Sequence, residues 1–317
     1  MIRVTNLTKS YGPVRAVDNI SFEVERGGVV GFLGPNGAGK TTTIRVLTCF
    51  QPATSGTASI GGFDVFTHSI EVRRIVGYLP ENTPLYPEMR VAEYLHFRGK
   101  LRGLSYAQRV EAVKRVADRC WLGEFINRPI GHLSKGMRQR VGLADAIMHD
   151  PDVLILDEPT IGLDPTQIRE TRNLIQELGA RHTILLSSHI LHEVEQICQR
   201  AIIIAAGRVV ASGSPQELRE RFSAQARVIA EMRGPKDDVE KSVRALDGVS
   251  AVEAVARDGW VRLAVDPKPE RDVREDIFRL TTDKGWSLRE IRREGATLED
   301  FFIKVTAQQA VGEVSPP

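Results

Sequence analysis

Long apolar runs are missing from this 317-residue sequence. None approaches the ~20 residues a membrane-spanning helix needs. The longest, near Ile202 to Ala206 and Val153 to Leu156, have the length of buried strands. Cysteine is scarce: Cys49, Cys120 and Cys198 are odd in number and scattered, which argues against a disulfide framework or a zinc site and suits a reducing compartment. Charge of one sign is not in excess. With 43 basic and 41 acidic residues, a formal +2, there is no general attraction to nucleic acid or an anionic membrane surface. The start, Met1 to Tyr11, is polar and alternating and lacks the charged-then-apolar layout of a signal peptide. What is present is ordinary for a globular chain: 42% apolar and 26% charged residues, which excludes disorder and fibrous repeats. The expectation is a soluble intracellular protein of two domains.

From Met1 to about Phe222, short β-branched runs alternate with helical stretches, the pattern of a mainly parallel sheet covered by helices. Ile2, Val4, Phe22 and Val24 alternate with polar residues, as half-buried antiparallel strands do. Buried strands are expected at Val29 to Leu33, Ile75 to Leu79, Val153 to Leu156, Thr183 to Leu186 and Ala201 to Ala205. A helix starts near Gly39 and carries Ile44 and Leu47 inward; Val91 to Arg102 and Tyr106 to Arg119 read as amphipathic helices. After Ser223 the texture changes. The order becomes strand (Arg227 to Arg233), helix (Asp237 to Leu246), strand (Val249 to Ala256), strand (Trp260 to Val265), helix (Glu270 to Lys284), strand (Trp286 to Arg292). Asp258-Gly259 between the middle strands is a hairpin signal, and β-α-β-β-α-β is a ferredoxin-like order. Thr297 and Asp300 form a capping-box pattern before a short helix carrying Leu298, Phe301, Phe302 and Val305. The expected domains are residues 1–222, with a helical subdomain at about 88–150, then 223–308, then a frayed tail over 309–317. Trp260 and Trp286 are expected in the second core, and Arg289, Arg292 and Arg293 on a solvated edge.

Gly34-Pro35-Asn36-Gly37-Ala38-Gly39-Lys40-Thr41 fits G-x-x-x-x-G-K-[ST] between a predicted strand and a predicted helix. Glycines let the backbone curl around a phosphate with its N–H groups pointing inward. The helix N-terminus adds partial positive charge, Lys40 reaches the terminal phosphates, and Thr41 offers its hydroxyl to magnesium. Asp157-Glu158 follows a buried strand. Ligands of open parallel sheets sit beyond the carboxyl ends of their strands, so Asp157 is placed to bind Mg2+ through water and Glu158 to act as general base. Ser134 before Lys135-Gly136-Met137 reads as an N-cap whose following N–H groups can meet an anion. His132 and His192 read as surface residues.

The order of phosphate loop, Leu133-Ser134-Lys135-Gly136-Met137, Asp157-Glu158-Pro159-Thr160, Gly162-Leu163-Asp164 and His189 resembles the nucleotide-binding subunits of ABC transporters over about Ile2 to Phe222. The fold implied is α/β, a P-loop NTPase ABC cassette with a mixed sheet and helical subdomain, followed by a small α+β ferredoxin-like domain. By resemblance, Tyr11 stacks on adenine, Gly34 to Thr41 with Thr42 hold the phosphates of ATP, and Thr41, Asp157 and Glu81 serve the magnesium. Glu158 is the base, His189 contacts the γ-phosphate, Asp164 lies in the D-loop, and Ser134 and Gly136 close over the ATP of a second copy. Three features depart from the family pattern: Glu81 where Gln is usual, Lys135 and Met137 where Gly and Gln are common, and Ile161 where a small polar residue is frequent. Leu79-Pro80-Glu81 and Thr297 to Phe302 are similar to the ABC-2 exporter ATPases, closest to the gliding-motility-type group.

The implied partners are a second copy of the chain in a head-to-tail ATP-sandwich dimer and a separate transmembrane permease, with no nucleic acid. The implied place is the cytoplasmic face of the membrane, held peripherally. Leu85, Tyr86, Met89, Tyr94 and Phe97 are expected to leave part of their apolar surface open for a permease helix. Soluble relatives acting on ribosomes or DNA usually carry two cassettes or a long coiled coil. One phosphate loop and no heptad run speak against them, and Glu158 speaks against a non-catalytic module.

Overall fold

The computed structural model describes residues 1–223, 227–268 and 271–294. The helix expected around Leu298 to Val305 and the tail over 309–317 lie outside those residues. The described chain divides between Pro215 and Gln216 into two compact units, somewhat before the expected boundary at Phe222.

In the first unit, β1 (Ile2–Tyr11) pairs antiparallel with β2 (Val14–Val24). Then come β3 (Gly28–Leu33), α1 (Lys40–Leu47), β4 (Ser55–Ile60) and β5 (Phe63–Asp64). Next are α2 (Ser69–Ile75) and β6 (Val76–Leu79). The helices α3 (Val91–Leu101), α4 (Tyr106–Arg119) and α5 (Lys135–Ile147) form the expected helical insertion. The chain returns through β7 (Val153–Asp157), α6 (Pro165–Gly179), β8 (Thr183–Ser188), α7 (Leu191–Ile197), β9 (Arg200–Ala205) and β10 (Arg208–Gly213).

These strands make two sheets. One is antiparallel in the order β2-β1-β4-β5. The other runs β10-β9-β3-β8-β7-β6, parallel except for β10. Between them lies a core containing Ile2, Val4, Phe22, Phe32, Ile44, Leu47, Ile155 and Ile204. A parallel strand covered on both faces should read as an unbroken apolar run, and all five residues of β7 are buried. That strand extends one residue beyond its expected end and includes Asp157. The register matters most for function. Leu33 stands opposite Ser188, Ser187 opposite Asp157, and Leu156 opposite Leu79. Four strand ends therefore reach one level.

The second unit starts within α8 (Pro215–Ser223). It continues through β11 (Arg227–Arg233), α9 (Lys236–Arg244), β12 (Val249–Arg257), β13 (Trp260–Pro267), α10 (Arg274–Asp283) and β14 (Ser287–Glu294). Its sheet, β12-β13-β11-β14, is antiparallel throughout, the ferredoxin-like arrangement expected. Asp258 and Gly259 both have positive φ, 52° and 78°, as the tight hairpin requires. Val228, Met232, Val239, Leu263 and Ile277 form its core, with Trp286 packed against them. Trp260 departs from expectation. Val261 points inward, so strand alternation turns Trp260 to the other face, where the Arg289 guanidinium sits 4.7 Å from its ring centroid. Arg289 and Arg292 pair with Glu231, Glu290 and Glu294.

Candidate functional site

The phosphate loop connects the end of β3 to α1. The Gly34 N–H donates to the Ser188 carbonyl at 3.4 Å, tying the loop to the next strand end. Gly39 has φ 101°, and a Cβ there would fall 2.5 Å from the Ala16 carbonyl oxygen, so only glycine fits. Lys40 is buried, and its Nζ donates to the carbonyls of Gly34 at 2.6 Å and Pro35 at 3.2 Å. The ammonium is thus held inside the curve of the loop, 3.5 Å from Glu158 Oε1.

The carboxylates arrive from β7. Asp157 is buried and accepts from the Ser187 hydroxyl at 2.5 Å. Burial pushes its carboxyl above its ordinary value, the Ser187 hydrogen bond and the nearby Thr41 hydroxyl pull it back, and the Glu81 charge adds to the rise. Glu158 has φ 51°, a left-handed backbone uncommon for a residue with a side chain. Its N–H donates to Ser187 Oγ at 3.0 Å, which turns the strand end sharply. Its own carboxylate is buried, with Oε2 2.8 Å from His189 Nδ1. Lys40, Glu158 and His189 line one cleft of about 530 Å³ with Pro35, Asn36, Gly37, Gly39, Thr41, Thr42 and Glu81. Glu81 is half-buried and lines a second cleft, against the helical subdomain, as well.

Whether these residues suit magnesium can be tested on their oxygens. Asp157 Oδ2 is buried with no hydrogen-bond partner, an acceptor whose desolvation is otherwise uncompensated. Thr41 and Glu81 border the same space. Among the described residues no cluster of three His, Cys, Asp or Glu could cage a metal alone. The oxygens fit a hard cation that takes its remaining ligands from phosphate and water, as magnesium does.

Other expected residues stand apart from this cleft. Tyr11 is exposed at the end of β1, its hydroxyl donating to Gln51 at 2.7 Å, and it does not line the cleft. Ser134 caps α5, accepting from the Met137 N–H at 3.2 Å. Gly136 is buried where a Cβ would meet the Gln167 side chain at 2.5 Å. Asp164 caps α6, accepting from the N–H groups of Thr166 and Gln167. The structure also brings in residues to which sequence reasoning gave no role: Ala16 in the cleft wall, Ser187 between the Asp157 carboxylate and the Glu158 N–H, and Thr160, Arg172 and Glu193 behind them. Ser187 had a signal, since paired serines end an otherwise apolar strand. Among the five apolar residues expected near the permease, Tyr86 and Phe97 are exposed and pack edge to face at 5.8 Å, whereas Tyr94 is buried.

The ABC transporter family matches residues 17–161 of this chain. The ABC transporter ATP-binding protein YxlF of Bacillus subtilis is 34% identical over 96% of this chain and 99% of its own. The bacitracin transport ATP-binding protein BcrA of Bacillus licheniformis is 33% identical, covering 98% and 99%. The Nod factor export ATP-binding protein I of Cupriavidus metallidurans is 35% identical, covering 98% of each. A solved structure of an ATP-binding subunit of an ABC transporter superposes with TM-score 0.66 at 33% identity, covering 70% of this chain and 93% of that one. A dimeric bacterial ABC transporter cassette superposes at 0.64 with 23% identity, covering 68% and 98%, a likeness of fold. Full-length relatedness and a complete phosphate loop thus agree: the chain belongs to the ATP-binding subunits of ABC transporters.

Proposed function

We propose that this chain hydrolyses ATP to power a separate transmembrane permease that exports its substrate, with Glu158 as the general base. The supporting observation is the convergence of Lys40, Glu158 and His189 on one cleft, with Glu158 Oε2 2.8 Å from the imidazole and Oε1 3.5 Å from the ammonium. The loop N–H groups and Lys40 bind the β- and γ-phosphates. Glu158 takes the proton of the attacking water while the water oxygen bonds the γ-phosphorus and the bond to the β-phosphate oxygen breaks, leaving ADP and phosphate. His189 orients that carboxylate and contacts the γ-phosphate. Thr41, Asp157 and Glu81 would hold the magnesium, which when bound supplies charge neutralisation at the phosphates.

Tyr11 lies beside the adenine. Ser134, Gly136 and Asp164 lie outside the cleft lining of their own chain. In this reading they serve the ATP of a second copy, facing it head to tail. Among the described residues no helix is long and apolar enough to cross a membrane, so the membrane-spanning path belongs to another chain, against whose cytoplasmic side this one docks. Export follows the printed role of the Nod factor relative, and transport that of the bacitracin relative. The likeness to the gliding-motility-type group rests on short motifs alone and does not enter the reading. The units on either side of Pro215 divide the work, hydrolysis in the first and an accessory role in the second.

Glu158→Gln tests the base. The amide keeps the shape and cannot take the proton, so turnover should fall by ~10²–10⁴ while ATP still binds. The variant should accumulate as an ATP-bound dimer of doubled mass by light scattering. Turnover at the wild-type rate would remove Glu158 from the mechanism.

A further inference from the structure

Behind the cleft sits a carboxylate that the hydrolysis scheme does not use. Glu193, on α7, is 2% exposed. Its Oε2 accepts from the Thr160 hydroxyl at 2.9 Å and the Ser188 hydroxyl at 3.2 Å. Its Oε1 accepts from Arg172 Nη2 at 3.0 Å. Arg172 also donates to Gln196 at 2.8 Å, across the same two helices. A buried carboxylate is tolerated only when its lone pairs are met in this way.

The three donors belong to three segments. Thr160 lies two residues after Glu158, in the turn where the Ile161 N–H returns to the Glu158 carbonyl at 3.2 Å. Ser188 directly precedes His189. Arg172 lies on α6, the helix capped by Asp164. The base and the histidine follow the neighbouring strands β7 and β8, beyond the last paired residues, and their side chains meet at 2.8 Å. Glu193 holds one side chain on each side of that contact, the Thr160 and Ser188 hydroxyls, and joins them to Arg172 of α6.

We infer that Glu193 is a positioning residue for hydrolysis: it holds Glu158 and His189 in register through Thr160 and Ser188, and Arg172 holds Glu193 in place. This rests on the roles given above to Glu158 and His189. A displacement of about 1 Å at a reacting group can cost ~10²-fold in rate. The phosphate loop meets Ser188 at its carbonyl and not at the hydroxyl bonded to Glu193, so nucleotide affinity should be spared.

The experiment measures kcat and KM for ATP in the full chain for Glu193→Gln, Thr160→Val and Glu158→Gln, well below each variant's thermal midpoint. Glu193→Gln keeps the shape and one acceptor but loses the charge and the second acceptor oxygen. Its kcat should fall roughly 10- to 100-fold with KM within about twofold of wild type. Thr160→Val should give the same split with a smaller fall. Should Glu193→Gln fail to fold, Thr160→Val carries the test. Full kcat in Glu193→Gln or Thr160→Val, with Glu158→Gln inactive, overturns the positioning role and leaves the base assignment standing. Full kcat in Glu158→Gln removes the base assignment itself. A fall of kcat accompanied by an equal loss of ATP affinity would mark Glu193 as a packing residue and overturn the inference.

Discussion

His149 provides a stability experiment whose size follows from the structure. It ends the segment after α5, with Nε2 3.3 Å from the Val76 carbonyl and Nδ1 buried without a partner. Burial, followed by the positive charge of Arg102, lowers the imidazole to about 4. In the unfolded chain it titrates near 6.5. Between those values the unfolded state binds more protons than the native state, so stability is complete above pH 6.5 and declines as pH falls towards 4. Integrating from pH 7.5 to pH 5 gives a loss of about 2 kcal/mol from this one group. His149→Gln retains an N–H for the Val76 carbonyl and removes the titration. Urea unfolding should therefore show the wild type losing about 2 kcal/mol more than His149→Gln over that interval. Trp121 reports on the first unit once Trp260 and Trp286, the other two tryptophans, are replaced by Phe. Parallel stability–pH curves for the two proteins would refute the reasoning, because they would mean that His149 titrates alike folded and unfolded.

Glu81→Gln should retain ATPase activity and narrow the difference between ATP affinity with and without magnesium, since Glu81 adds its charge beside Asp157; superimposable titrations against free magnesium would deny Glu81 any part in the metal site. Tyr86→Glu and Phe97→Glu place charge on an exposed aromatic pair; transport should uncouple while ATPase of the isolated subunit persists, and loss of both together would locate the pair in the core. A chain ending at Phe222 should still bind ATP, because every residue lining the phosphate cleft precedes Pro215; equilibrium dialysis showing no binding by a folded product would contradict this.

The phosphate loop, the acids of β7 and His189 were legible because each follows a buried apolar run, and strand ends of a parallel sheet collect at one edge. The ferredoxin-like unit was legible from alternation and from Asp258-Gly259. Strand β4, Ser55-Gly56-Thr57-Ala58-Ser59-Ile60, was not: its outer face is polar and only Ala58 and Ile60 are buried, so its period is faint. Trp260 was misjudged because size suggests burial, whereas alternation with Val261 decides the face. Glu193 carried no sign at all. On a seven-residue helix rich in Glu and Gln it resembles a solvated residue, and only tertiary placement gives it three donors.

The placement of β3 has a consequence for the making of the protein. Its two neighbours, β8 and β9, both enter the sheet more than 150 residues later in the chain. At the ribosome's ~5–20 residues per second, Val29 to Leu33 waits roughly 8–30 s after synthesis before either partner exists. During that interval an apolar strand with two open edges follows the nascent chain, ready to pair with another copy. Survival of newborn chains should therefore depend on what covers β3 until residue 205 has been translated.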